Sequence, residues 1–212
     1  MNRPPPQPPR EGIAADELGA YEHVVARSRK LEMPGAGDRI TDPYWGALLN
    51  TPPLARGLAE MGRLIREGEL RGSYSNAQRE LVDIVLSVDL KYNAILAVHI
   101  PDALAVGVRI EAIDAIRTGR DDRLTAEELT IARYARAVAE GRSDDDLFQA
   151  MVGKLGLRGA IEFTVFIAFL VATLRLWQAL GVSDPSNEDI DRMLDDLRSG
   201  RKPLPDPNRR IG

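Results

Sequence analysis

Few residues of this chain have the type and setting that chemistry needs. His99 stands in the apolar segment AILAVHIPDALAV, Glu80 directly precedes LVDIVLSV, and Glu162 and Arg175 bracket the most apolar stretch of the chain. An imidazole, with an ordinary pKa of about 6.5, takes up and releases protons near neutral pH, and a neighbouring carboxylate can orient its ring and stabilise the imidazolium. Each of these residues also has a plainer reading. A lone histidine in an apolar helix is more often a satisfied core or interface residue than a catalyst, and a glutamate in a first helical turn is favoured by the helix dipole alone. The chain has no cysteine, which removes thiolate nucleophiles, disulfides and thiolate metal ligands together. With only two histidines, a zinc site made of protein ligands has little to draw on, and no metal is expected.

The elements that must position these residues read as helices throughout. Leu18, Tyr21, Val24 and Val25 recur at helical spacing in a first helix over 14–30, which Pro34, Gly35 and Gly37 then break. Asp42-Pro43 opens a short helix through Trp45 and Leu49, and Pro52-Pro53 opens another through Leu54, Leu58, Met61 and Leu64. Ser75-Asn76-Ala77-Gln78 has the spacing of a capping box and predicts a helix start that buries Leu81, Ile84 and Val85, with Glu80 in an early turn. The segment 92–106 carries His99 and stops at Gly107, and Pro101 is expected to kink or restart it. Helices are further predicted over 111–117, over 125–140 with Thr125 and Glu128 as a second capping box, and over 143–154, 157–180 and 186–197. No β-hairpin signal occurs, so the fold class is all-α.

At 212 residues the chain can bury a substantial core without staples. Residues 1–12 are proline-rich and suit a disordered or wrapping arm, 13–74 form accessory helices, 75–199 a helical core, and 200–212 a second proline-rich tail. Lys plus Arg number 28 against 32 Asp plus Glu, a net charge of −4 with the signs interspersed, which argues against nucleic acid as a partner. The N-terminus lacks an apolar signal-peptide core, and the run 163–174 falls well short of the roughly 20 residues of a membrane span, so a cytoplasmic protein without membrane contact is expected. A helix apolar nearly all round, as over 161–180, has to be buried by neighbours or by other subunits.

The stretch from Gln78 to Val106, with Arg79-Glu80, an apolar helix, Tyr92-x-x-Ile95-x-x-x-His99 and Pro-Asp-Ala-Leu-Ala-Val-Gly, resembles the carboxymuconolactone decarboxylase and alkylhydroperoxidase D-like family. The resemblance runs on through the Thr125-Ala-Glu-Glu helix to Leu174-Arg-Leu-Trp-Gln-Ala-Leu-Gly181 and covers most of 48–182. It implies an alkylhydroperoxidase D-like bundle of helical hairpins that assembles into homotrimers or homohexamers, with sites close to subunit contacts. In the peroxidase branch a CxxC pair precedes the histidine, and a glutamate on the preceding helix moves protons to and from the thiols. Glu80 and His99 match that glutamate and histidine, whereas the two cysteine positions fall on Tyr92 and Ile95. An isoleucine can be neither oxidised by peroxide nor resolved by a thiol, so dithiol peroxidase chemistry is excluded.

What remains resembles the decarboxylase branch, which implies cofactor-free acid/base lyase or isomerase chemistry on a small carboxylated, lactone or carbonyl metabolite. His99 is then the general acid or base, Glu80 its partner, and Tyr92 a donor to a developing enolate oxygen, although a half-buried aromatic at a helix start is its equal alternative. Ile95, Arg79, Arg175 and Trp177 are the expected substrate-binding residues. For both arginines, surface salt bridging competes with gripping a substrate carboxylate. Non-redox members often carry Glu or another polar residue where this chain has Ile95, which makes the expected pocket greasier. The alternative function is an oligomeric ligand-binding or structural module that has kept the fold and lost the chemistry; a peroxidase using some other residue is the remotest reading.

Overall fold

A computed structural model of the chain describes residues 4–31, 42–70 and 72–207, with side chains except at 29–31 and 67–70. Among the described residues there are nine α-helices, two short 3-10 turns and no strand, so the fold is all-α. The helices are α1 (Leu18–Leu31), α2 (Pro43–Leu48), α3 (Pro52–Leu70), α4 (Asn76–Asp89), α5 (Asn93–Ala105), α6 (Ile110–Arg117), α7 (Ala126–Ala139), α8 (Asp145–Leu180) and α9 (Asn187–Arg198). The expected helix break at Pro34, Gly35 and Gly37 lies outside the described residues. By its internal contacts the chain forms two compact units, Met1–Arg66 with Leu176–Val182 and Glu67–Arg175 with Ser183–Gly212.

In the first unit the aspartate-proline start of α2 does what its chemistry predicts: Asp42 Oδ1 accepts from the Tyr44 amide at 2.9 Å, and Pro43 occupies a position whose missing N–H costs nothing. Tyr21, Val24 and Val25 of α1 and Ala55, Ala59 and Ile65 of α3 are buried. The Tyr44 ring stacks on Trp177 with centroids 5.2 Å apart. Residues 4–12 lie against this unit, with Asn50 Nδ2 donating to the Pro6 carbonyl at 3.0 Å and the Tyr21 hydroxyl to the Pro8 carbonyl at 3.1 Å.

In the second unit α4 packs against α5, α6 and α7, and α5 packs against α9. Leu86, Leu96, Ile100, Ile113, Ile131 and Phe163 are among its fully buried side chains. Of the two outcomes expected at Pro101, a kink or a restart, the restart does not occur, and α5 runs through it as one helix. The proline removes the hydrogen bond to the Ala97 carbonyl, and packing on both neighbours holds the helix together across it.

The 36-residue α8 contains one non-helical residue, Gly156, at φ 70 and ψ 166, so two helices meet there, at the boundary that the sequence predicts between 154 and 157. That backbone region penalises any residue with a Cβ, which is why glycine occupies it. Among the described residues α8 alone is long and apolar enough to cross a membrane. Within the single chain its neighbours cover only part of it, because Leu157, Ile161 and Val165 are 59%, 49% and 46% exposed.

Candidate active site

The register of α4 is set at its start. Ser75 Oγ accepts from the Gln78 amide at 3.1 Å while Gln78 Oε1 accepts from the Ser75 amide at 2.8 Å, completing the capping box. With the first turn fixed, Glu80 and Asp83 fall three residues apart and therefore on one face, and Arg79 reaches Asp83 along the i,i+4 row. A short turn through Lys91, at φ 53, reverses the chain into α5. No side chain of its own caps α5; instead Asp184 Oδ1 accepts from the Ala94 amide at 2.7 Å, and Asn93 Nδ2 donates to the Pro185 carbonyl at 3.0 Å and to Asn187 Oδ1 at 2.9 Å. The start of α5 is thus tied to the segment leading into α9.

Between these two anchored helices lies a buried ionic cluster. His99 Nδ1 is 2.8 Å from Glu80 Oε2 and 3.4 Å from Asp83 Oδ2. Arg79 Nη2 is 2.8 Å from Glu80 Oε1, and its Nη1 is 3.6 Å from Asp83 Oδ2. Arg79 also donates to Asn76 Oδ1 at 3.3 Å. Glu80 is 1% exposed, Asp83 2% and Arg79 4%, so each charge is removed from water and must be matched by the others. A carboxylate bridged to a guanidinium is an acceptor, so His99 donates from Nδ1, and the lone pair of the neutral ring resides on Nε2. Among the described residues Nε2 makes no hydrogen bond, and about a tenth of the imidazole is exposed, its side chain being 10% accessible. Nε2 is thus the uncommitted ring nitrogen, at the accessible end of a cluster whose other members are sealed.

The nearest ligand-type atoms of Glu80, Asp83 and His99 lie within 4.8 Å of one another, close enough to hold a metal ion. The Arg79 guanidinium supplies positive charge to the same two carboxylates.

Of the residues singled out from sequence, His99, Glu80 and Arg79 meet in this cluster. The surface role weighed for Arg79 does not apply, because its side chain is buried against carboxylates of its own helix. Tyr92 and Ile95 are buried; Ile95 lies one helical turn before His99 on α5, while Tyr92 is the extended residue that precedes the helix. Burial, seconded by the Asp184 carboxylate, pushes the Tyr92 phenol up to about 12, so it stays a donor at any physiological pH. Arg175 is exposed on α8, and Trp177 belongs to the first unit against Tyr44; neither is a member of the ionic cluster. Asp83 is the member that sequence reasoning missed. The signal was present in its i,i+3 spacing from Glu80, an acid in an otherwise apolar run. The chain matches no protein-family model, no curated protein and no solved structure, so what is inferred about its chemistry rests on this cluster and on the motif that carries it.

Proposed function

We propose that the chain is a cofactor-independent acid/base lyase or isomerase of the carboxymuconolactone decarboxylase-like kind, acting on a small carboxylated, lactone or carbonyl metabolite. His99 is its general acid or base and Glu80 the partner that fixes the tautomer. One observation carries this reading: Nδ1 is committed to Glu80 at 2.8 Å, while Nε2 has no partner among the described residues. A histidine arranged this way accepts a proton at Nε2, and the imidazolium that forms is stabilised by the carboxylate behind it. Tyr92, held as a neutral phenol, is the candidate donor to an enolate oxygen. By the same resemblance the chain is proposed to assemble as a homotrimer or homohexamer; its interspersed charges and the short apolar run 163–174 support a cytoplasmic protein that uses neither nucleic acid nor membrane.

The test is turnover of a panel of small β-keto acids and unsaturated lactones in D2O, followed by proton NMR for decarboxylation, double-bond migration or deuterium uptake. His99→Gln is expected to abolish the signal with helical content and solution mass unchanged; undiminished turnover in that variant overturns the assignment. A second reading is supported by the depth of the cluster: four buried charged or polar side chains within ion-pair distance of one another also describe a structural ion network in a module without chemistry. On that reading no panel member turns over, and Glu80→Gln lowers stability alone.

A further inference from the structure

The second arm of α8 begins just after Gly156 and at once presents its largest exposed apolar side chains: Leu157 at 59%, Ile161 at 49% and Val165 at 46%. At 100° per residue the three lie within an arc of about 80°, a single stripe along one face. The stripe is symmetric about Ile161, with Leu157 one turn before and Val165 one turn after. Its charges sit together on one flank, where Arg158 Nε donates to Glu162 Oε1 at 2.9 Å.

We propose that this face is where a second copy of the chain docks, with the two α8 helices antiparallel across a two-fold axis at Ile161. An isologous contact needs a surface complementary to itself, and this one is. Antiparallel pairing about Ile161 sets each Leu157 against the partner's Val165 and the two Ile161 side chains against each other. Because a two-fold perpendicular to an antiparallel pair brings like flanks together, it also sets each Arg158 beside a Glu162 of the other copy. Parallel pairing loses that match, since it turns the Arg158/Glu162 flank toward the opposite flank of the second helix. An arginine and a glutamate beside the stripe also suit a protein neighbour better than hydrocarbon, in which charges are costly. The contact is independent of the chemistry assigned to His99, because it is read by assembly and the chemistry by turnover.

The chain's lack of cysteine makes the test direct, since any introduced thiol is unique. Ile161→Cys is expected to form an interchain disulfide on mild oxidation and to run at twice the chain mass. Leu157→Cys alone and Val165→Cys alone are expected to stay single, because each lies about 12 Å along the helices from its own copy, beyond disulfide reach. Mixing those two variants is expected to yield the linked pair. By sedimentation equilibrium the unmodified chain is expected at an even multiple of 23.3 kDa, which of the two assemblies proposed above admits the homohexamer and not the homotrimer, and Ile161→Glu at half that mass. Self-linking of Leu157→Cys as efficient as that of Ile161→Cys overturns the antiparallel arrangement. An unmodified chain that is monomeric or trimeric, a mass unmoved by Ile161→Glu, or a monomer that floats with phosphatidylglycerol vesicles overturns the contact itself. Should the glutamate variant fail to fold, the cysteine series decides alone.

Discussion

Glu80 and His99 face each other across the α4–α5 hairpin with 2.8 Å between Oε2 and Nδ1, and the carboxylate is shut away from water while the ring is not quite. Deleting the buried member therefore leaves a guanidinium with half its counter-charge. Glu80→Ala is expected to destabilise the chain by about 3–5 kcal/mol in urea unfolding, the usual cost of breaking a buried pair from one side. Glu80→Gln, which preserves shape and one acceptor, is expected to cost well under half of that; equal losses for the two would show that charge plays no part.

Arg79 and Asp83 should be energetically coupled, because removing the arginine leaves two buried carboxylates facing each other. Arg79→Met alone is expected to lose about 3–5 kcal/mol, and adding Asp83→Asn to restore part of it, with an interaction energy of at least about 1 kcal/mol in a double-mutant cycle. Strict additivity would mean that the 3.6 Å approach of the two side chains carries no energy.

Tyr92 gives the fold an alkaline signature. The folded chain holds the phenolic proton up to about 12, chiefly through burial. The unfolded chain releases it near the ordinary value of about 10, so the folded state binds more protons between those limits and stability falls as pH rises through that window. Below it the group contributes no pH dependence. Urea midpoints taken at pH 9 and pH 11.5 should differ less in Tyr92→Phe than in the unmodified chain, by up to about 2 kcal/mol; identical pH slopes would contradict the shift.

Two glycines of α8 should respond oppositely to alanine. A Cβ on Gly159 would stand 2.6 Å from the Ser73 carbonyl oxygen, and backbone cannot step aside as a side chain can. Gly159→Ala is expected to destabilise by about 1–3 kcal/mol, an overpacking cost. Gly153 is helical with nothing within 4 Å, so Gly153→Ala should stabilise by about 0.5–1 kcal/mol through helix propensity. Thermal melts of both variants against the unmodified chain check the pair of signs.

Helix starts were legible wherever a side chain closes its own cap. Ser75 with Gln78 and Thr125 with Glu128 form the two boxes expected of them, because capping is a local interaction that the spacing alone determines. At Pro101 the sequence leaves a kink and a restart both open, because whether a proline ends a helix depends on what grips both sides of it, and the contacts of α5 with α4 and α9 are not local. The pairing of Glu80 with His99 was anticipated through a motif, and its geometry through neither periodicity nor composition. Asp83 escaped notice because an acid within LVDIVLSV looks like a solvent-facing interruption until the neighbouring helix is placed over it. The exposed stripe on α8 was hidden in the same way, since a run rich in apolar residues does not reveal which side of the helix its neighbours leave bare.

The cap that Asp184 places on the Ala94 amide bridges 90 residues of sequence. A chain made from its N-terminus therefore emerges with the helix of His99 already synthesised but lacking the carboxylate that anchors its first turn. That helix acquires its final footing only when the stretch around Pro185 and Asn187 follows it out of the ribosome.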